Sequence, residues 1–384
     1  MLEGLDEVDW LSLRHAYGPA DDVPDQIRAL AGPNRPSRED ALYGLFGNIW
    51  HQGTVYEASE YAVPFLLELA GDPAVSGRDG ILSLLHALAT GHSYLDVHAT
   101  PDSHVFAAER AEPDFVQRLE RELSHVRAAH DAVARGANLL LDLTRDRDPM
   151  ISGGAAHVLS ALPDDKSRIA ARILEMAQSA SDPILRGGCL LCLGTLRPVG
   201  SETSTYLEQV VRVPAPREIV YAAAWALAQA AGPATVDEAI PPLASAVADP
   251  TFAEDCLHGL PWDWSAEVRP GEALIRIGPR AVSVAVPTLI NALGRADRVD
   301  ASFISDALLG LIFPGGRVYT RPDALVPEQL RVIRAIAEAD VVWEHPSLFV
   351  CGFQQLGLVG PGAHTESGWR QARAELRGVL DGSP

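Results

Sequence analysis

The densest grouping of side chains capable of chemistry lies in GNIWHQGTVYEASEYAVPFL, residues 47–66, where Asn48, Trp50, His51, Gln52, Tyr56 and Glu57 crowd together. The wider stretch from Tyr43 to Phe65 holds Tyr43, Phe46, Trp50, Tyr56, Tyr61 and Phe65, six of the chain's 24 aromatic residues. Aromatics with a polar handle suit recognition, because they bring large contact area with few rotors. His51 and Glu57 suggest an acid–base pair, with the carboxylate orienting the imidazole. A separation of six places them on different faces of a helix, so the pair requires a turn at Gly53-Thr54. Thr54 also reads as a helix N-cap with Glu57 as its capping-box partner three residues on, which accounts for Glu57 without catalysis. Asn48, His51 and Gln52 could equally satisfy buried backbone groups. Capping, recognition and catalysis all stay open for this segment.

A second candidate is HGLPWDWSAEV, residues 258–268, carrying Trp262, Asp263 and Trp264 between Pro261 and Pro270. The prolines make it extended, and paired tryptophans are either interface anchors or gap fillers. His86, His92, His98 and His104 recur every six residues, beside Asp96 and Asp102. Without HxxxH or paired CxxC spacing, no metal site is assigned. Residues 91–113 read as a polar loop, and His125 and His130 as solvated positions on an amphipathic helix from Asp114 to Arg135. Cys189-x-x-Cys192 falls inside a helical pattern, away from the helix N-terminus that activates redox pairs, so both read as core thiols. No catalytic residue and no cofactor are assigned.

The elements around these residues are periodic. Asp148-Pro149, Asp182-Pro183, Ala215-Pro216 and Asp249-Pro250 are spaced by 34, 33 and 34 residues. A helical pattern follows at Gly153 (GGAAHVLSAL), Gly187 (GGCLLCLGTL) and Tyr221 (YAAAWALAQA). Val63-Pro64, Ile240-Pro241 and Val286-Pro287 mark a second helix, with proline expected at its start. The Asp-Pro pair then stops one helix and opens the next turn. Neither helix buries its apolar face alone, so the units must stack. About 12 residues are added between the Gly232-Pro233 and Gly278-Pro279 patterns, which isolates the tryptophan insertion.

These residues resemble the HEAT repeat family, particularly the short bacterial HEAT-like repeats of phycobilisome lyase-type proteins. The likeness runs from Tyr61 to Gly360 and is closest from Asp148 to Leu293. The segment GNIWHQGTVYEASEYAVPFL also looks like one found in bacterial HEAT-repeat proteins. The resemblance implies an all-α, right-handed α-solenoid of helical hairpins with about 34-residue repeats and a concave binding surface, but no single activity. The HEAT-like hydroxylases carry His-Glu dyads, whereas this chain has only the reversed Glu344-His345. The HEAT-like DNA glycosylases use a basic groove, which this composition disfavours.

Net charge is −20, with 31 basic against 51 acidic residues, and Lys166 is the one lysine. So acidic a chain repels phosphate backbones, and its charge serves either solubility or the attraction of a basic protein partner. The acidic N-terminus MLEGLDEVDW lacks signal-peptide order, and no apolar run reaches membrane-spanning length. The expectation is a bacterial cytoplasmic protein that binds no nucleic acid and no membrane. Three regions follow: an N-terminal cap segment (1–60), a repeat array (61–360) with insertions near 91–113 and 258–268, and a C-terminal capping helix (361–384). The expected function is non-catalytic: a scaffold or inhibitor holding a basic protein through Asn48, Trp50, His51, Tyr56, Trp262, Asp263 and Trp264. The alternative is a small-molecule binder or enzyme, with a pocket between residues 47–61 and 91–113.

Overall fold

The computed structural model describes residues 1–100, 106–162, 164–197, 200–249, 270–314, 325–344 and 366–380. Among them the protein is all-α, apart from two hairpins of two-residue strands. It divides into two compact units, 1–192 and 193–384. Trp262, Asp263 and Trp264 lie outside the described residues.

The first unit opens with the hairpin β1 (Arg14–His15) and β2 (Gly18–Pro19), followed by α1 (Val23–Leu30) and α2 (Arg35–Asn48). A second hairpin, β3 (Trp50–His51) and β4 (Thr54–Val55), leads into α3 (Glu57–Gly71) and α4 (Arg78–Thr90). Residues 91–113 contain two short helices, α5 (Tyr94–His98) and α6 (Ala107–Arg110), where a polar loop is expected. Then come α7 (Phe115–Arg135), α8 (Ala137–Leu143), α9 (Pro149–Ser160), α10 (Lys166–Ser179) and α11 (Pro183–Thr195), whose last turn crosses the unit boundary. Helix α3 packs on α4 and α7, and α4 on α9.

Helix α9 is buried at every position from Ile151 to Ser160, which explains its small residues. A Cβ on Gly154 would meet Leu82 of α4 at 3.2 Å, so glycine sets how closely these helices approach. One turn further on, the same approach brings His157 of α9 against His86 of α4.

The second unit is built from α12 (Ser201–Arg212), α13 (Arg217–Ala231), α14 (Ile240–Ala248), α15 (Pro270–Ile277), α16 (Pro279–Leu293), α17 (Arg298–Ile312), α18 (Pro327–Glu338) and α19 (Glu366–Leu380). Helix α12 packs on α13, α14 on α16, and α16 on α17. Buried Ala222, Ala223, Ala224, Ala226 and Ala228 line α13.

The Asp-Pro punctuation acts as the sequence suggests at two sites. Asp148 caps α9 by accepting from the Met150 N–H at 2.9 Å, and Asp182 accepts from the Leu185 N–H at 2.8 Å at the start of α11. The apolar-Pro signature behaves differently. Pro241 sits in the first turn of α14, but Pro64 and Pro287 lie inside α3 and α16. Both internal prolines are exposed, as are Glu60's neighbour Tyr61 and, in α16, Ser283. A carbonyl deprived of its intrahelical partner there can turn to water, which is how a helix tolerates proline on its outer face.

Candidate functional site

Within 47–66, residues 50–55 fold as a hairpin that leads into the helix, and Thr54 does not cap it. Gln52 and Gly53 form its two-residue turn with φ of 50° and 94°, the positive values that a type I′ connection demands. Thr54, expected as an N-cap, is instead a buried strand residue. The helix starts at Glu57, and its first turn is tied down by Ser59 rather than Glu57. The Ser59 hydroxyl accepts from the Tyr56 N–H at 2.8 Å and donates to the Ile49 carbonyl at 2.6 Å. One buried side chain thus closes both ends of the hairpin.

The turn packs against the segment after α4. The His92 N–H donates to the Gly53 carbonyl at 2.8 Å, the Val55 N–H donates to the His92 carbonyl at 3.2 Å, and Thr54 bridges to His92 in parallel. The His92 ring occupies the space a Cβ on Gly53 would need, so Gly53 serves both the turn and this contact. His130 of α7 donates to the Gly91 carbonyl at 3.0 Å and is half-buried, where a solvated position is expected.

Asn48 is buried, and its polar groups are used internally. Its side-chain amide donates to Asp22 Oδ2 at 2.7 Å and reaches Gln26 Oε1 at 3.4 Å, while its carbonyl accepts from the Ala16 N–H. Asp22 Oδ1 lies 2.9 Å from His15 Nε2, and His15 Nδ1 accepts from the Tyr17 N–H at 3.0 Å. Although Asp22 and His15 look like a catalytic dyad, both imidazole nitrogens are engaged, so no lone pair faces a substrate. The arrangement fixes β1–β2 onto α2. No sequence signal marks His15, since it stands outside any motif.

On this frame stand the more accessible rings. The Tyr17 hydroxyl lies 3.3 Å from His51 Nδ1, with ring centroids 5.3 Å apart and edge-on. The bonding partner of His51 is therefore Tyr17, and no bond to Glu57 forms. Trp50 is half-buried and meets Phe46 edge-to-face at 5.8 Å. Tyr56 is half-buried, and its hydroxyl is held above the ordinary tyrosine range by burial first, then by the Glu122 charge, with Tyr17 and Tyr94 contributing. Tyr94 of α5 packs on His98 at 4.6 Å and edge-on to Phe106 at 6.0 Å. Burial, and then the neighbouring His98, push the His92 imidazole below its usual value, with Asp96 opposing.

Glu122 of α7 ties α5 to this group. Its Oε2 accepts from the Ser93 hydroxyl at 2.7 Å and from the Leu95 N–H at 2.9 Å, covering the start of α5. Among the described residues no group of three or more His, Cys, Asp or Glu is arranged to hold a metal ion. A cleft of about 410 Å³ lies elsewhere, between α2 and α4, but its arginines are committed: Arg35 to Glu39 at 2.7 Å and Arg38 to the Gly32 carbonyl at 3.0 Å. Cys189 and Cys192 are buried, and burial pushes the Cys189 thiol up to about 12 and holds that of Cys192 well above its ordinary value.

No protein-family model matches the chain, and no curated protein matches it. The site is therefore read from its own geometry. Of the candidate residues, His51 meets Tyr17, Tyr56 lies near Tyr17, Tyr94 and Glu122, Trp50 meets Phe46 instead, and Asn48 lies in the frame beneath.

Proposed function

We propose that the protein is a non-catalytic binding protein, a scaffold or inhibitor, whose recognition surface is the corner formed by Tyr17, His51, Tyr56 and Tyr94. The observation that carries this reading is the backbone pairing of β4 with His92, which supports the aromatic rings on a rigid base. Rigid aromatic anchors lose little entropy on binding. The partner we infer is a protein with a basic surface, because the chain carries −20 and its acidic field would steer such a partner inward. The repeat spacing supports HEAT-like stacking of the helices into a right-handed solenoid, with Trp262, Asp263 and Trp264 as a further contact.

The same pairing favours a second reading, because it joins residues 47–61 to 91–98: a small-molecule site or enzyme at that junction. His51 would then act through Tyr17 rather than Glu57. Affinity purification from the native host, with His51→Ala and Trp262→Ala alongside the wild type, separates the two. Stoichiometric recovery of a basic protein, lost in His51→Ala at unchanged circular dichroism, supports the binding reading. Recovery of the chain alone, with a bound metabolite released on denaturation, overturns it.

A further inference from the structure

Two helix starts converge beside Glu122. The parallel bridge of Thr54 to His92 places Tyr56 and Tyr94 each two residues further along, so the two tyrosines leave the pairing side by side. Tyr56 is the N-cap of α3 and Tyr94 the first residue of α5. Tyr17 flanks them from β1–β2 through His51. Tyr17 and Tyr94 are 70% and 44% exposed, so their rings remain open to an incoming group.

Carboxylates outnumber cations around these rings. Glu57 and Glu60 occupy the first turn of α3, Asp96 the first turn of α5, and Glu122 lies between the helices. None of the four takes part in an ion pair among the described residues. Arg118, one turn before Glu122 on α7, is bonded to Glu109 and feels the Glu122 charge without bonding to it. Aromatic faces beside carboxylates that have no bonded cation form a site for a cation, because the ring quadrupole and the carboxylate attract the same charge.

We propose that Tyr17, Tyr56 and Tyr94, with the Glu122 carboxylate, receive an arginine side chain from a basic protein partner. This rests on the binding reading above and specifies its chemistry. A guanidinium fits better than an ammonium, because its plane stacks on tyrosine rings while its edge meets the carboxylate. Glu122 keeps Oε2 on Ser93 and Leu95, which leaves Oε1 for the guest.

The test is fluorescence anisotropy with fluorescein-labelled hexa-arginine, hexa-lysine and hexa-citrulline peptides. The wild type should bind arginine at least about threefold more tightly than lysine, with citrulline undetected. Tyr94→Leu and Glu122→Gln should each weaken the arginine peptide about fivefold or more. Glu122→Gln keeps an acceptor for Ser93 and Leu95, so its effect reports charge and not folding. Tyr94→Phe retains the ring and should stay within about twofold, as should the distant controls Asp142→Asn and Glu175→Gln. Equal weakening by all carboxylate variants would mean a general acidic field only and overturn the proposal, as would unchanged binding by Tyr94→Leu. If these peptide effects are absent while a native partner is still lost on His51→Ala, the arginine site fails and the wider binding reading stands.

Discussion

Mild acid should loosen the first unit through His86 and His157. The close approach of α4 and α9 at Gly154 leaves the two buried rings with centroids 3.4 Å apart, inclined by 48°. Burial holds the His86 imidazole down to about 4 against an ordinary 6.5, while burial and then the neighbouring His86 hold His157 well below its ordinary value. The unfolded chain takes up these protons near pH 6.5, whereas the folded protein takes up that of His86 only near pH 4. Between those values the unfolded state binds more protons, so stability is intact above pH 6.5 and falls as pH drops through the window. For His86 the full loss below pH 4 is about 3 kcal/mol, and one unit below 6.5 it is about 1.4 kcal/mol. His157 adds to the loss in the same direction, since burial and His86 hold it well below its ordinary value too. Urea unfolding followed by circular dichroism at pH 7.5 and 5.5 measures the effect. His86→Gln should reduce the loss between these pH values by about 1.4 kcal/mol, His157→Gln should reduce it as well, and the double variant should reduce it most. The carboxylates are common to all variants and cancel in the comparison. Parallel losses in wild type and double variant would refute the reasoning.

Two further outcomes follow from packing. Gly53→Ala must strain a φ of 94° and displace the His92 ring, so amide exchange at His92 and Val55 should accelerate by about tenfold or more while the α9 amides stay protected. Cys189 and Cys192 should resist iodoacetamide in the folded protein at pH 8 and become modified only in denaturant, as followed by peptide mass; rapid native modification would show that their helix opens.

The helical class was legible because its signals are local. An Asp side chain reaching an N–H two or three residues on needs no tertiary context, and Asp148 and Asp182 act as their spacing implies. Proline was ambiguous for the opposite reason. Pro64 and Pro241 follow similar apolar residues, yet whether the position opens a helix or sits on an exposed face within one depends on what packs beneath. Thr54 misled because S/T-x-x-E is a weak motif. Gln52-Gly53, read as turn chemistry, points to the hairpin that consumes Thr54 as a strand residue.

The candidate site divides along the same line. Trp50, His51 and Tyr56 could be picked out by type, because aromatic and imidazole groups are scarce and stood together in the sequence. Their partners could not. Tyr17 lies 34 residues from His51, and Glu122 lies 29 from Ser93, and neither separation leaves a periodic trace. The role of Asn48 depends on such a contact as well: its amide reaches back 26 residues to Asp22, which makes it part of the frame. A residue type therefore indicates what a side chain can do, while its burial and distant partners decide whether it is free to do it. By that criterion Tyr17 and Tyr94, exposed rings on tightly bonded backbone, are open to a partner where the buried Asn48 is not.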